Sequence, residues 1–152
     1  MKRIINGVTY YTKKAIFLGK YDAGFSKGDI RWSVSELYKT KSGKYFLYGA
    51  GGPASSYAKS DDIFETHTNG ESIIPMSQEE VIIWANEYLP DYELETLYKS
   101  MLLEAKRLNL EVPPLLRESL RKIKSKNKES KLAEAKAKED SKKNCFVNYI
   151  DW

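Results

Sequence analysis

The spacing of hydrophobic residues changes once along this chain, near Ser77, and that change limits the fold to a sheet followed by helices. Before Ser77 apolar residues alternate, so that Trp32, Val34 and Tyr38 would share one face of an extended strand. After Ser77 they recur at every third or fourth position, as in a helix that buries one side. A chain of 152 residues supports one ordinary hydrophobic core. The sequence therefore predicts an α+β fold: a small antiparallel sheet of hairpins packed by helices, with a C-terminal helical extension.

Two hairpins are predicted in the first half of the chain. The pair Asn6-Gly7 stands between two short apolar runs and is typical of a type I′ turn, because both residues tolerate a positive φ. Residues 30–48 predict a second hairpin with its turn at 41–44. We expect the glycine-rich run 49–53 to end it, since three glycines and a proline do not extend a central strand.

Weaker patterns connect these hairpins to the helices. Thr12 precedes a short helix candidate over residues 13–19, as an N-cap would. Residues 22–29 are typical of a loop, and residues 53–70 of an ordered loop or a short helix around Tyr57. Residues 71–75 indicate a last short strand, which Pro75 would stop.

The helices are predicted from a capping signal and from periodicity. Ser77 and Glu80 have the spacing of a capping box, in which each side chain bonds the other residue's backbone amide. The first helix would bury Val81, Trp84, Ala85, Tyr88 and Leu89. Pro90-Asp91 starts a second helix, which would bury Leu94, Leu97, Tyr98, Met101, Leu102, Ala105 and Leu108.

The chain is predicted to divide into a body, an extension and a terminal segment. Residues 1–108 form the α+β body, 109–144 the basic helical extension and 145–152 an apolar C-terminal segment. The two prolines at 113 and 114 favour an extended entry and then a fresh helix, with Leu115, Leu116, Leu120 and Ile123 on one side. From Lys124 to Lys143 we expect a solvent-exposed or fraying helix that orders only on binding. The terminal segment either packs back on the body or is itself a binding peptide, and Cys145 in it is expected to be buried or half-buried.

Charge is unevenly distributed between these parts. Residues 106–143 contain 13 lysines or arginines and 6 acidic residues, a net of +7, which leaves the remainder with 12 basic and 15 acidic residues. Such asymmetry suggests that the extension contacts nucleic acid or an acidic protein face, although a merely solvated helix fits equally well. No run of eighteen apolar residues or secretory signal is present, so we expect a cytosolic protein.

Few residues suggest catalysis. His67 is the only histidine, so a metal site with two histidines would need a second chain, and its polar surroundings favour a solvated side chain. Asp61, Asp62 and Glu65 form an acidic cluster that a magnesium-dependent nuclease would use, although a polar loop explains them more simply. Glycines 49–52 lack the spacing of a phosphate-binding loop. We predict no catalytic residue, metal site or cofactor.

The second hairpin interleaves aromatic and basic side chains, which in sheet-based binders stack on and screen a single nucleic-acid strand. Half of these aromatic residues must cover the core, however, because a sheet needs one buried face. The residues concerned are Arg31, Trp32, Tyr38, Lys39, Lys41, Lys44, Tyr45 and Tyr48.

Three strings of residues carry a resemblance to a known family. They are Ile4-Ile5-Asn6-Gly7, the run LYKTKSGKYFLYGAGG over residues 37–52, and IIPMSQEE over residues 73–80 followed by Trp84-Ala85. Together they resemble a domain common on phages and plasmids of Firmicutes, on which several anti-CRISPR proteins against type II Cas9 are built. The resemblance covers roughly residues 1 to 95. Ala50 stands where a glutamate is usual, and the basic extension has no counterpart in the short members.

The resemblance implies a stoichiometric Cas9 inhibitor and not an enzyme. A chain with net positive charge imitates DNA poorly, so docking on a nuclease domain or in the guide-RNA groove is expected instead of acidic DNA mimicry at the PAM-reading cleft. The body would dock through Tyr38, Tyr45 and Tyr48. The extension would contact RNA or an acidic protein surface through Arg117, Arg121, Lys122, Lys124, Lys126 and Lys128. The alternative is a nucleic-acid-binding protein of a mobile element that does not contact Cas9, and a nuclease is the third hypothesis.

Overall fold

The computed structural model describes residues 1–61, 63 and 66–147, with side chains described as far as residue 141. It confirms the α+β class. The strands are β1 (Lys2–Ile5), β2 (Val8–Tyr11), β3 (Ile16–Asp22), β4 (Ser33–Lys39), β5 (Tyr45–Gly51), β6 (Lys59–Asp61), β7 (Thr66–Thr68) and β8 (Gly70–Met76). The helices are α1 (Gln78–Tyr88), α2 (Asp91–Arg107) and α3 (Pro114–Val147), and a 3₁₀ turn covers Thr12–Lys14.

The chain forms two compact units, Met1–Met101 and Leu102–Trp152. Their boundary falls inside α2, before the boundary after Leu108 that the sequence suggested. The predicted terminal segment 145–152 falls largely outside the described residues. All of its side chains do, so the prediction for Cys145 lies outside them too. Each unit is described separately below.

The N-terminal hairpin has the predicted turn. Asn6 and Gly7 have φ values of 50° and 75°, which confirms the type I′ geometry. The register pairs Arg3 with Tyr10, and the Tyr10 ring meets the Phe46 ring edge-on at 5.3 Å between centroids. Tyr10, Phe46 and Ile73 form a buried cluster, so this hairpin packs on one face of the main sheet.

The main sheet is antiparallel, with strand order β3-β4-β5-β8. The opposite face of the sheet carries Leu37 and Leu47, both buried. Gly19 on that face lies against Leu89, where α1 ends, and a Cβ at this position would stand 2.9 Å from a Leu89 methyl carbon. Within the first unit, the end of α1 and the start of α2 therefore lie against this second face.

The predicted helix over residues 13–19 is wrong. Only Thr12–Lys14 forms a helical turn, and Ile16–Asp22 is strand β3, paired with β4. Ile16, Phe17 and Leu18 are as compatible with a strand as with a helix, and the long-range pairing with β4 decides between them. Residues 53–70 likewise contain a small hairpin, β6–β7, in place of a plain loop or short helix.

The predicted end of the second hairpin at Gly49 is also wrong. Strand β5 continues through Gly51 and is paired on both sides, with β4 and with β8. The glycines are needed there because Tyr57 and Ser55 occupy the space of a side chain at positions 49 and 51. Strand β8 also runs one residue past Pro75. Proline has no amide hydrogen to donate, but β8 is an edge strand, and on its open side no neighbouring strand needs that hydrogen bond.

The helical predictions are largely confirmed. Ser77 Oγ accepts from the Glu80 amide at 3.2 Å, and the Ser77 amide donates to Glu80 Oε2 at 2.7 Å, which completes the capping box. Apart from half-buried Tyr88, the α1 residues named above are buried, and Ile82 is buried too. Helix α2 buries its predicted residues except Leu102, which is half-buried, and Leu108, which lies beyond the helix and is 51% exposed.

Helix α3 begins at Pro114, as the paired prolines predicted, and it is 34 residues long. Leu116, Leu120 and Ile123 are buried and Leu115 is half-buried. From Lys124 to Ser141 every side chain is exposed apart from half-buried Asn127, so the predicted exposed helix is confirmed. That it orders only on binding stays a prediction.

Candidate binding surfaces

Five basic residues form a continuous stripe along α3. They follow one another at intervals of four, three, four and three residues, which places them on one side of a helix. All five are exposed, and they span about 21 Å at a rise of about 1.5 Å per residue. We call this set the basic stripe: Arg117, Arg121, Lys124, Lys128 and Lys131.

The described side chains do not neutralise the charges of the basic stripe. Among the side chains described in the structure, none of the five has a carboxylate within ion-pair distance, whereas the adjacent Lys122 lies 2.8 Å from Glu118. Like charges spaced four residues apart destabilise a helix by a few tenths of a kcal/mol. An anionic partner would relieve this repulsion and would be attracted by five positive charges in line.

Lys122 and Lys126 do not belong to the basic stripe. At about 100° per residue they lie roughly 140° and 180° around the helix from Arg117. Lys122 is held by Glu118 at one turn's distance. The structure thus divides the predicted cationic set in two, with Arg117, Arg121, Lys124 and Lys128 on one side. Lys131, which the sequence prediction missed, completes that side and follows from the same spacing.

Tyr38 and Tyr48 lie on the same face of the main sheet, and each hydroxyl donates to a carboxylate. Tyr38 bonds Glu36 Oε2 at 2.7 Å, and Tyr48 bonds Glu71 Oε2 at 3.0 Å. Burial, assisted by the Glu36 bond, raises the pKa of Tyr38 to about 12, and burial with the Glu71 bond raises the pKa of Tyr48. These carboxylates would repel phosphates, so this half-buried surface favours contact with protein over contact with nucleic acid.

Tyr45 has to be removed from the predicted contact residues. It is only 4% exposed, and it points to the face of the sheet opposite to Tyr38 and Tyr48. Neighbouring residues of a strand point to opposite faces, so one of the tyrosine sites had to serve the core. Tyr45 packs beside Lys39, whose ammonium lies 5.1 Å from the ring centroid.

The two described residues among those considered for catalysis lie on the small hairpin β6–β7. His67 is exposed on β7 and Asp61 is exposed on β6, while Asp62 and Glu65 fall outside the described residues. Within the described ranges, no group of three histidine, cysteine or acidic residues has the arrangement to hold a metal ion. In the same ranges no helix is long and apolar enough to cross a membrane.

Comparison with protein-family models, with curated proteins and with solved structures finds no match to this chain.

Proposed function

We propose that this chain is a stoichiometric inhibitor of a type II Cas9 that acts in the bacterial cytoplasm, binds the effector with its guide RNA, and catalyses no reaction. The basic stripe is the observation that carries the binding part of this proposal. Five cations in line along about 21 Å, none ion-paired with a described side chain, suit a phosphate backbone, whose charges recur every 3.4 Å along one strand. A helix of this kind contacts phosphates without reading bases.

The Cas9 part of the proposal has separate support. It rests on the motifs within residues 4–7, 37–52 and 73–85, which resemble the anti-CRISPR domain described above. The paired Tyr38–Glu36 and Tyr48–Glu71 groups present a polar and aromatic surface suited to a protein partner. In this proposal the first unit docks on the effector protein and the basic stripe contacts the guide RNA.

A second candidate is a nucleic-acid-binding protein of a mobile element that does not contact Cas9. The basic stripe favours this candidate as well, because phosphate contacts do not depend on the identity of the RNA or DNA. The two candidates differ in whether the first unit has a protein partner.

A pull-down with Cas9, with and without guide RNA at low salt, separates the candidates. We expect the complex to form with guide-loaded Cas9 and DNA cleavage to fall in proportion to the inhibitor added. The absence of a complex in both states would overturn the Cas9 proposal. Binding of bare RNA or DNA under the same conditions would then support the second candidate.

Matched variants test the role of the basic stripe. Replacing Lys124 and Lys128 by Gln removes two charges from the stripe, and replacing Lys122 and Lys126 by Gln removes the same charge from the other side of the helix. We expect the first pair to weaken binding and to reduce the slope of log affinity against log salt by about 1.4 to 1.8, since each phosphate contact contributes roughly 0.7 to 0.9. Equal effects of the two pairs would show that only net charge matters and would exclude a directed stripe.

A further inference from the structure

A second cationic feature lies in the first unit, in a concave site of about 350 Å³. Its walls come from the N-terminal hairpin, from the 3₁₀ turn and from the turn between β4 and β5. This volume lies within the range of small-ligand sites. The polar residues that line it are Lys2, Thr9, Tyr11, Lys14, Thr40, Lys41 and Ser42.

The backbone around this site is fixed by hydrogen bonds. The Thr12 amide donates to the Met1 carbonyl at 3.1 Å, and the Ala15 amide donates to the Tyr11 carbonyl at 3.1 Å. On the opposite wall the Lys44 amide donates to Thr40 Oγ1 at 2.9 Å, and Thr40 Oγ1 lies 3.0 Å from Ser42 Oγ. The elements that carry the lining residues are therefore held in place without any ligand.

Three lysines and two hydroxyl groups at this site have no partner among the described residues. Register pairs Lys2 with Tyr11 on the outer face of the hairpin, the side away from Tyr10 and the core. Among the described residues, the side chains of Lys2, Lys14 and Lys41 have no ion pair, and no carboxylate lines the site. The hydroxyls of Thr9 and Tyr11 likewise have no hydrogen-bond partner in the described part of the chain. Three lysines and two hydroxyl groups without a partner among the described residues thus line one concavity that contains no carboxylate.

We propose that this site binds a phosphate monoester attached to a small organic group. A terminal phosphate carries a charge of about −1.5 to −2 at pH 7 and three acceptor oxygens, which suits three lysines better than the single charge of a backbone phosphodiester. Tyr11 and Ala15 also line the site and bring apolar atoms to it for the attached group. Such a phosphate is found on a free nucleotide and at the 5′ end of a nucleic acid. This site is separate from the basic stripe and does not depend on a Cas9 partner.

The test is a titration of the full-length chain followed by amide NMR, with inorganic phosphate, AMP, adenosine and a short oligonucleotide with a 5′-phosphate or a 5′-hydroxyl. We expect phosphate and AMP to shift the amides of residues 9–15 and 40–44, and adenosine to leave them unchanged. A 5′-phosphate oligonucleotide that shifts these amides more than its 5′-hydroxyl counterpart would identify a nucleic-acid end as a ligand, whereas shifts with AMP alone would identify a free nucleotide. Shifts confined to α3 would report the basic stripe. If neither phosphate nor AMP shifts the amides of 9–15 and 40–44 at about 10 mM, well above a weak Kd of about 1 mM, the proposal is overturned.

A charge-matched pair of variants distinguishes a site from general attraction. Lys14→Gln with Lys41→Gln removes two lining charges, and Lys13→Gln with Lys44→Gln removes two charges from neighbouring positions that do not line the site. All four lysines are exposed, so both variants are expected to fold. We expect the first pair to weaken AMP binding about tenfold or more and the second to change it little, because charge-assisted contacts act at hydrogen-bond distance. An equal loss in both pairs would contradict the proposal.

Discussion

The ring of Tyr57 lies directly on the α-carbon of Gly49, in the space that any Cβ at position 49 would need. The Tyr57 hydroxyl lies 2.6 Å from Ser35 Oγ on the adjacent strand β4. Gly49 sits inside β5, where it is paired with Ser35 on one side and with Ser72 on the other. The glycine thus lets a loop residue close over the centre of the sheet.

Replacing Gly49 by Ala should therefore destabilise the first unit. The new methyl group displaces the Tyr57 ring and its bond to Ser35, and we expect the free energy of unfolding to fall by about 2 kcal/mol, as in other overpacked sites. Chemical denaturation followed by far-UV circular dichroism measures this change. Gly28→Ala is the matched control, because a Cβ at Gly28 has no neighbour within 4 Å and its φ is not positive. A loss in Gly28→Ala as large as that in Gly49→Ala would contradict the steric explanation.

Removing the Tyr98 hydroxyl should weaken the packing of α2 against α1. Tyr98 is fully buried, and its hydroxyl lies 3.1 Å from the Ile82 carbonyl oxygen and 2.9 Å from Asn86 Oδ1. We expect Tyr98→Phe to lower the free energy of unfolding by about 1 kcal/mol, since the buried carbonyl loses a donor. Asn86 is exposed, so Asn86→Ala should cost less than about 0.5 kcal/mol in the same denaturation experiment. A greater loss in Asn86→Ala would show that the amide is the main partner.

The N-cap of α1, Ser77, should contribute measurably to the stability of the protein. Ser77→Ala removes the acceptor of the Glu80 amide and should cost about 1 kcal/mol, while Ser77→Thr should retain most of the stability. The bond from the Ser77 amide also lowers the pKa of Glu80. A carboxyl whose pKa is lower in the folded state stabilises the protein above its unfolded pKa, and this contribution is lost as the pH falls through the folded pKa. The stability of Glu80→Gln should accordingly change less than that of the parent chain on acidification. Parallel acid dependence in both proteins would contradict the role of Glu80.

Tyr38 should lose its proton at a higher pH in the folded protein than in the unfolded chain. Its pKa of about 12 compares with about 10 for an unfolded tyrosine, so the unfolded chain releases this proton first. The resulting contribution to stability is present below pH of about 10 and is lost as the pH rises toward about 12. Ultraviolet absorbance at the tyrosinate band, followed against pH, measures this ionisation. Tyr38→Phe should remove the ionisation step near pH 12, and Glu36→Gln should move that step to lower pH. An unchanged ionisation step in Tyr38→Phe would show that another tyrosine is responsible.

The sequence predicted most of what depends on neighbouring residues. The turn at Asn6-Gly7, the Ser77 capping box and the Pro113-Pro114 helix start each use bonds or sterics within a few residues, and each is confirmed. The basic stripe also depends on local sequence, because its spacing of four and three residues places it on one side of any helix formed there. Lys131 is the one member of the basic stripe outside the predicted set, although it follows Lys128 at the same three-residue interval.

The residues of β3 and β5 required long-range contacts. Ile16 to Asp22 became a strand because β4 offered a partner, and Gly49 to Gly51 stayed in a strand because Tyr57 and Ser55 fill the space above them. Tyr45 and Tyr48 are three positions apart in one strand, yet only the tertiary structure decided which of them is fully buried, since a shift of one residue in register exchanges the two faces of a sheet.

By itself, then, the sequence determined the α+β class, the helix boundaries marked by caps and prolines, and the concentration of positive charge after Lys106, because these follow from local bonds and composition. The tertiary structure alone decided the pairing of β3, the burial of Tyr45 and the meeting of Lys2, Lys14 and Lys41 around one concavity. Those three lysines lie on separate elements, and only the packing of the N-terminal hairpin on the sheet brings their charges to one place.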